Sequence, residues 1–246
     1  MLILTRVAYI DDNFATIVEA IKVGRCTYNN LIKTLAFVLP TNGGQAFSII
    51  MALVIGVEVP ITALQILWVN MATSITLGLI FAFEPAHEDI MQQSPRRIDK
   101  GVFGKFLSWR VFYVSTLLVV AVLANFQWEN DDISSLRKLR TGSVNTLCAG
   151  QLAYVFNCRN LRKNTGSAGL FLGNKVIYIG IFLACVLQII FTYAPPFQYV
   201  FQTEALDVKS WGKIAFWGVF VFVMVEIEKA INSLRHKALE EVNNMD

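Results

Sequence analysis

Long apolar runs alternate with short polar links along this chain. Stretches close to the roughly 20 apolar residues that a bilayer-spanning helix needs occur at 34–57, 61–83, 102–126, 143–157, 176–193 and 211–231. The pattern predicts an all-α polytopic bundle of about six membrane helices. The fourth run is short, and Asn145, Gln151 and Tyr154 interrupt it. Ahead of the first run, Phe14, Ile17, Val18 and Ile21, then Tyr28, Leu31 and Ile32, recur near helical spacing. Asp11 or Asp12 is placed to cap that segment, which is expected to enter the first span as one long helix. The expected organisation is a cytoplasmic stalk over 1–33, a transmembrane domain over 34–231 and a cytoplasmic tail over 232–246.

Composition agrees with that pattern: 55% of the 246 residues are hydrophobic, 18 of them Phe, and the mean hydropathy is +0.52. Uninterrupted apolar runs of this length exclude a soluble enzyme. The opening "MLILTRVAYI" is broken by Arg6 and shows no small-residue cleavage site, so it does not read as a signal peptide. The net charge of +3 says little, but the placement of the charges says more. With the N-terminus inside, Lys22, Arg25, Lys33, Arg96, Arg97, Lys100, Lys105, Arg159, Arg162, Lys163, Lys175, Arg235 and Lys237 fall on the cytoplasmic side. That bias follows the positive-inside rule. Both termini are therefore expected in the cytoplasm and the chain in the plasma membrane, the inner membrane in a bacterium.

Soluble catalytic chemistry is absent from the sequence. There is no Walker-type loop, no GxGxxG and no nucleophile elbow. His87 and His236 stand alone and far apart, and Cys26, Cys148, Cys158 and Cys185 have no metal-ligand spacing. No basic patch points to nucleic acid.

The informative residues are polar ones inside the spans, which are costly in lipid and generally face protein or a water-filled path. In "FVLPTNGGQAF", Pro40 removes a helical hydrogen bond, and with Gly43 and Gly44 it is expected to open the helix and free carbonyls. Asn42 and Gln45 form a pair one turn apart. In "QILWVNMATSITLG", Asn70, Thr73 and Ser74 make one polar stripe at mid-membrane depth. Gln151 adds an amide in the fourth span beside Gly150. Transporters build cation sites from broken helices and converging oxygens of this kind; the competing reading is hydrogen-bonding glue between helices. Glu226, Glu228 and Lys229 are expected to pair or to reach the interface. Arg110 is expected to anchor at lipid headgroups, Trp109, Trp128 and Trp211 to sit in interfacial belts, and Trp68 to pack inside the bundle.

The segments "DDNFATIVEAIKVGRCTYNNLIKTLAFVLPTNGGQAF", "ALQILWVNMATS", "FAFEPAHEDIMQQSPR" and "VEIEKAI" resemble the C-terminal membrane half of P-type cation-transporting ATPases, in particular the group of calcium pumps and bacterial enzymes similar to them. The resemblance runs in order from about Asp11 to the C-terminus. It implies that the six runs are the fifth to tenth of ten membrane helices. It places Asn42 and Gln45 on fifth-helix ligand positions, Asn70, Thr73 and Ser74 on sixth-helix positions, and Gln151 on the eighth-helix position. Calcium pumps carry acids where this chain has Gln45, Ser74 and Gln151. Calcium favours many oxygen ligands with carboxylate charge, so the neutral set implies a monovalent cation, if any.

The motifs the family uses for phosphorylation, dephosphorylation and nucleotide binding ("DKTGT", "TGES", "GDGxNDxPAL") do not occur in these 246 residues, nor does the fourth-helix "PEGL". The resemblance therefore implies a membrane portion that binds no cofactor itself. ATP and magnesium would act only through a separate N-terminal catalytic half, and the chain alone would hydrolyse nothing. The other reading is a stand-alone membrane protein, either a passive cation pore or a structural or regulatory fragment, or else a non-functional remnant.

Overall fold

The computed structural model describes residues 14–85, 88–92, 104–130, 135–159, 161 and 176–243. Among them there are helices and turns and no strand. The expected cap at Asp11 or Asp12, the loop residue His87 and the basic residues of 93–103 and 162–175 lie outside the described residues.

Helix α1, Phe14–Ile55, is continuous through the amphipathic segment and the first apolar run. It ends at Gly56, whose φ of 79° is a left-handed conformation that glycine adopts without steric cost. The second pass is composite: α2 (Ala63–Thr73), a π-helical turn (Ser74–Gly78) and α3 (Leu79–Ala82). A short 3-10 turn follows at Glu88–Met91. The remaining passes are α4 (Lys105–Asn130), α5 (Leu136–Arg159), α6 (Val176–Tyr193) and α8 (Val208–Asn243), with the short α7 (Pro195–Phe201) between the last two.

Successive passes run in opposite directions. One end of the bundle, here the proximal end, gathers the early part of α1, Glu84, Arg110, Arg159 and Glu228. The distal end gathers Val57, Glu129, Leu136 and Asp207. Among the described residues, α1, α2 with α3, α4 and α6 are long and apolar enough to cross a membrane.

Helix α5 does not reach that apolarity, and its position explains why. It packs against α1, α4, α6 and α8, and every residue from 141 to 148 is buried. A helix enclosed by protein has no lipid to satisfy, so Thr141, Ser143, Asn145, Thr146 and Gln151 can all sit inside. What looked like the weakest span is the central one.

The apolar core joins Phe37 of α1, Trp68 and Phe81 of the second pass, Leu118 of α4, Tyr154 of α5, Phe191 of α6 and Val221 of α8. Trp68 lies inside the bundle, as expected. It stacks on Phe191 with ring centroids 5.8 Å apart and meets Phe197 edge-on at 5.0 Å. Trp109 and Trp128 are exposed.

Two sequence expectations are overturned. Arg110 is not a headgroup anchor: it is 1% exposed and its Nη2 lies 2.9 Å from Glu228 Oε2. It also donates to the Leu161 carbonyl at 3.1 Å. A guanidinium keeps its charge on burial, so a helix interface accommodates it at low cost only where a carboxylate meets it, and α8 supplies one. Nor does Pro40 open α1, for the reason given in the next section. The expectation for the other α8 charges holds, since Lys229 Nζ donates to Glu226 Oε1 at 2.8 Å and Asn157 donates to the same oxygen at 2.7 Å.

Candidate functional site

Pro40 has no N–H, so the Ala36 carbonyl loses the partner that an ordinary residue four positions on would supply. The Tyr154 hydroxyl of α5 donates to that carbonyl at 2.8 Å. One turn on, Ser115 of α4 donates to the Pro40 carbonyl at 3.0 Å, and Thr41 donates to Phe37 and Val38 carbonyls at 3.0 Å. The proline defect is thus filled by two neighbouring helices, and α1 continues without a break.

The glycines serve close approach. A Cβ on Gly44 would lie 2.8 Å from Leu118 Cβ, and one on Gly150 would lie 2.7 Å from Leu118 Cδ2. A Cβ on Gly43 would collide with Ser115. Leu118, fully buried, is therefore held in a notch between α1 and α5. Gln45 and Gln151 are the residues immediately after the two notch glycines.

Both glutamines are buried, Gln45 at 2% and Gln151 at 0% exposure. Gln45 Nε2 has no hydrogen-bond partner, and neither Nε2 nor Oε1 of Gln151 has one. Gln45 lies two turns beyond Phe37, which stacks on Tyr154 at 6.2 Å, and Gln151 lies one turn before Tyr154. Each amide thus directly follows a glycine that meets Leu118, one on α1 and one on α5. Amides buried at this depth carry a free-energy cost of about 1–3 kcal/mol unless something satisfies them.

The second pass carries the helical irregularity that α1 lacks. The π-helical turn begins at Ser74, directly after Thr73, and such turns displace backbone groups from the usual ladder and recur at functional sites. Thr73 is half-buried and donates to the Val69 carbonyl at 2.8 Å, and Thr76 donates to Ala72 at 2.8 Å. Gly180 of α6 lets another backbone approach this turn, since a Cβ there would stand 2.6 Å from the Thr76 carbonyl oxygen. Asn70 is half-buried.

Asn42 departs from the expected pairing. It is exposed on α1, whereas Gln45 is buried, because the two lie about 60° apart around the helix and α4 covers only the glycine side. The predicted residues thus divide into a buried pair (Gln45 and Gln151), a half-buried set on the second pass (Asn70 and Thr73, with Ser74 at the π turn) and an exposed Asn42.

Sequence reading missed two polar groupings. At the proximal end Glu84, 6% exposed, sits between Lys33 Nζ at 3.8 Å and Arg159 Nε at 3.2 Å, and Asn30 donates to its carbonyl at 2.9 Å. This joins α1, the second pass and α5. At the distal end Asn125 and Glu129 of α4 are both buried. Asn125 at the end of the 102–126 run, with Glu129 one helical turn beyond it, was the available signal.

Comparison with known proteins places this architecture. Residues 58–231 match the profile of the family described as "Cation transporting ATPase, C-terminus". The chain belongs to the P-type cation-transporting ATPases. It is 36% identical over 225 residues to the probable cation-transporting ATPase F of Mycobacterium tuberculosis, covering 92% of this chain and 25% of that protein. It is 34% identical over 206 residues to cation-transporting ATPase pma1 of Synechocystis (82% of this chain, 23% of the relative). It is 32% identical over 204 residues to the calcium-transporting ATPase of Bacillus subtilis (82% and 23%). The chain spans about a quarter of the length of these relatives. It corresponds to the C-terminal membrane portion of a P-type ATPase and is an integral membrane protein.

Proposed function

We propose that this chain forms part of the ion-translocation pathway of a cation pump, and that the path runs between α1, the π turn of the second pass and α5. Gln45 and Gln151 would be its buried ligands, with Asn70, Thr73 and Ser74 on the second pass and Asn42 at the exposed margin. The observation that carries the reading is the pair of buried amides, unpartnered beside the Gly44–Leu118–Gly150 contact.

The cation on this reading is monovalent. None of the six residues is a carboxylate, and neutral amide, hydroxyl and carbonyl oxygens suit a single, weakly hydrated charge better than a divalent one in low dielectric. ATP-driven transport would need a catalytic half supplied from outside these 246 residues. The expected orientation has both termini in the cytoplasm of a plasma membrane, supported by the cationic bias of one side. The boundaries of stalk, membrane domain and tail remain those of the hydropathy pattern.

Co-expression with an N-terminal half from a relative tests this. Cation-stimulated phosphoenzyme turnover should appear only when both halves are present, and Gln45→Leu and Gln151→Leu should abolish its cation dependence. Turnover that both variants leave untouched would remove these residues from the path. Cation flux through liposomes holding the purified chain alone, without ATP, would replace the pump reading with a passive pore.

A further inference from the structure

Asn125 of α4 is fully buried, and neither its amide nitrogen nor its amide oxygen has a partner. One turn on, Glu129 is 2% exposed. Its Oε2 lies 3.2 Å from the Ser210 hydroxyl of α8, whose one hydrogen is shared with Asp207 Oδ1 at 2.9 Å, while its Oε1 accepts no hydrogen bond. On the facing helix, Gly142 leaves room for both side chains: a Cβ there would stand 3.4 Å from Asn125 Nδ2 and 3.8 Å from Glu129 Cγ. Ser143, next along α5, is fully buried with an unpartnered hydroxyl. It lies seven residues before Gly150, which meets Leu118 of α4 and Val221 of α8, so Ser143 shares the stripe of α5 that faces those two helices.

We propose that Asn125, Glu129, Ser143 and Ser210 form a monovalent-cation site between α4, α5 and α8 at the distal end of the bundle, separate from the Gln45–Gln151 path. The ligand set is one carboxylate, one amide oxygen and two hydroxyls, all hard oxygens. Once the Lys213 ammonium is displaced, its single negative charge balances a single positive charge and leaves a divalent ion under-compensated. Asn125 Oδ1 and Ser143 Oγ, buried oxygens without hydrogen-bond partners, are otherwise a desolvation cost with no return.

Lys213 explains how the carboxylate is neutralised without a ligand. Its Nζ stands 3.6 Å from Glu129 Oε1, beyond hydrogen-bonding distance. It donates instead to the Trp128 carbonyl at 3.3 Å and lies 5.3 Å from the centre of that ring. An incoming cation at Oε1 therefore competes with the Lys213 ammonium, and Trp128 gives that ammonium an alternative hold when it is displaced.

The purified 246-residue chain carrying Gln45→Leu and Gln151→Leu, so that the other path adds no cation binding, tests the site in lipid nanodiscs through its thermal unfolding midpoint, titrated with sodium or potassium chloride against choline chloride at constant ionic strength. A ligand that binds only the folded state raises the midpoint saturably. We expect that rise with one or both alkali cations and not with choline. Asn125→Leu and Ser143→Ala should remove it. Lys213→Met should keep it with a several-fold lower half-saturating concentration. Equal midpoints in alkali and choline salts would overturn the proposal and leave the buried groups to water. A rise that survives both Asn125→Leu and Ser143→Ala would also overturn it. Because the readout does not involve turnover, it fails or succeeds independently of the pump reading.

Discussion

The hydroxyl of Tyr154 donates to the carbonyl of Ala36, 118 residues away in sequence, at 2.8 Å. It replaces the N–H that Pro40 lacks. A tertiary contact thus completes the secondary structure of α1, and the helix keeps its course past the proline.

That relationship makes a coupled prediction. Tyr154→Phe keeps the ring stacking on Phe37 and removes only the donor, so it should destabilise the fold by about 1 kcal/mol, the range for membrane helix hydrogen bonds. In a Pro40→Ala background the Ala36 carbonyl regains its helical partner, and the same substitution should cost little. The measurement is a double-mutant cycle on unfolding free energy. Equal costs in both backgrounds would show that the hydroxyl does not serve this carbonyl.

The Leu118 notch gives a second. Gly44→Ala and Gly150→Ala each place a methyl within 3 Å of Leu118 atoms, an overpacking expected to cost about 1–3 kcal/mol. Leu118→Ala removes the Cδ atoms and should recover part of the loss for Gly150→Ala, and less for Gly44→Ala, whose added methyl still meets the Cβ that alanine keeps, measured by unfolding in bicelles. The same variants displace Gln45 and Gln151, so cation response should fall with stability and return with it.

The spans of this bundle were legible because lipid imposes a strong, local rule on sequence: long apolar runs on α1, α2–α3, α4 and α6. The candidate amides Gln45 and Gln151 were legible for the converse reason, as polar residues where lipid would reject them. What the sequence did not reveal was set by partners distant in the chain. Pro40 opens a helix only if nothing caps the carbonyl it frees, and Tyr154 caps it. Arg110 looks interfacial until Glu228, also 118 residues away, is found beside it. The polarity of α5 reads as weakness in a span, but it reflects a helix surrounded by other helices. The π turn after Thr73 has no sequence signature of its own.

Acid pH should weaken the distal end. Lys138 donates to Asp207 with N and O 2.8 Å apart, and this bond, aided by Ser210 at 2.9 Å, holds the Asp207 carboxyl down to about 2 against an ordinary 3.8. A carboxyl whose folded value is depressed stabilises the fold fully above its unfolded value, and that stability is lost as pH falls from about 3.8 toward about 2. The unfolding midpoint should therefore fall in that window, and Asp207→Asn should flatten the fall. Asp207 is half exposed, so the effect should be small and should shrink further in high salt. A slope unchanged in Asp207→Asn would assign the acid sensitivity to other carboxyls.

The Arg110–Glu228 pair allows the sharpest separation of structure from charge. Its members are 1% and 9% exposed at their side chains, and Arg110 ties α4 both to α8 and to the Leu161 carbonyl beyond α5. Removing one partner strands a buried charge, so Glu228→Gln or Arg110→Met alone should destabilise by about 3–5 kcal/mol. Replacing both with apolar residues of similar volume, Arg110→Met with Glu228→Leu, removes the desolvation cost of two ions and should recover most of that loss. Asn232, which donates to Glu228 Oε1 at 2.6 Å, then loses its acceptor and limits the recovery. The check is unfolding of the two single variants and the double in the same lipid. If the double variant is as unstable as the sum of the singles, the pair contributes through each residue's own contacts, and the salt bridge between α4 and α8 is incidental. If it recovers, the charges are exchangeable for packing, and the α4–α8 interface depends on neutralisation at this position more than on the ions themselves.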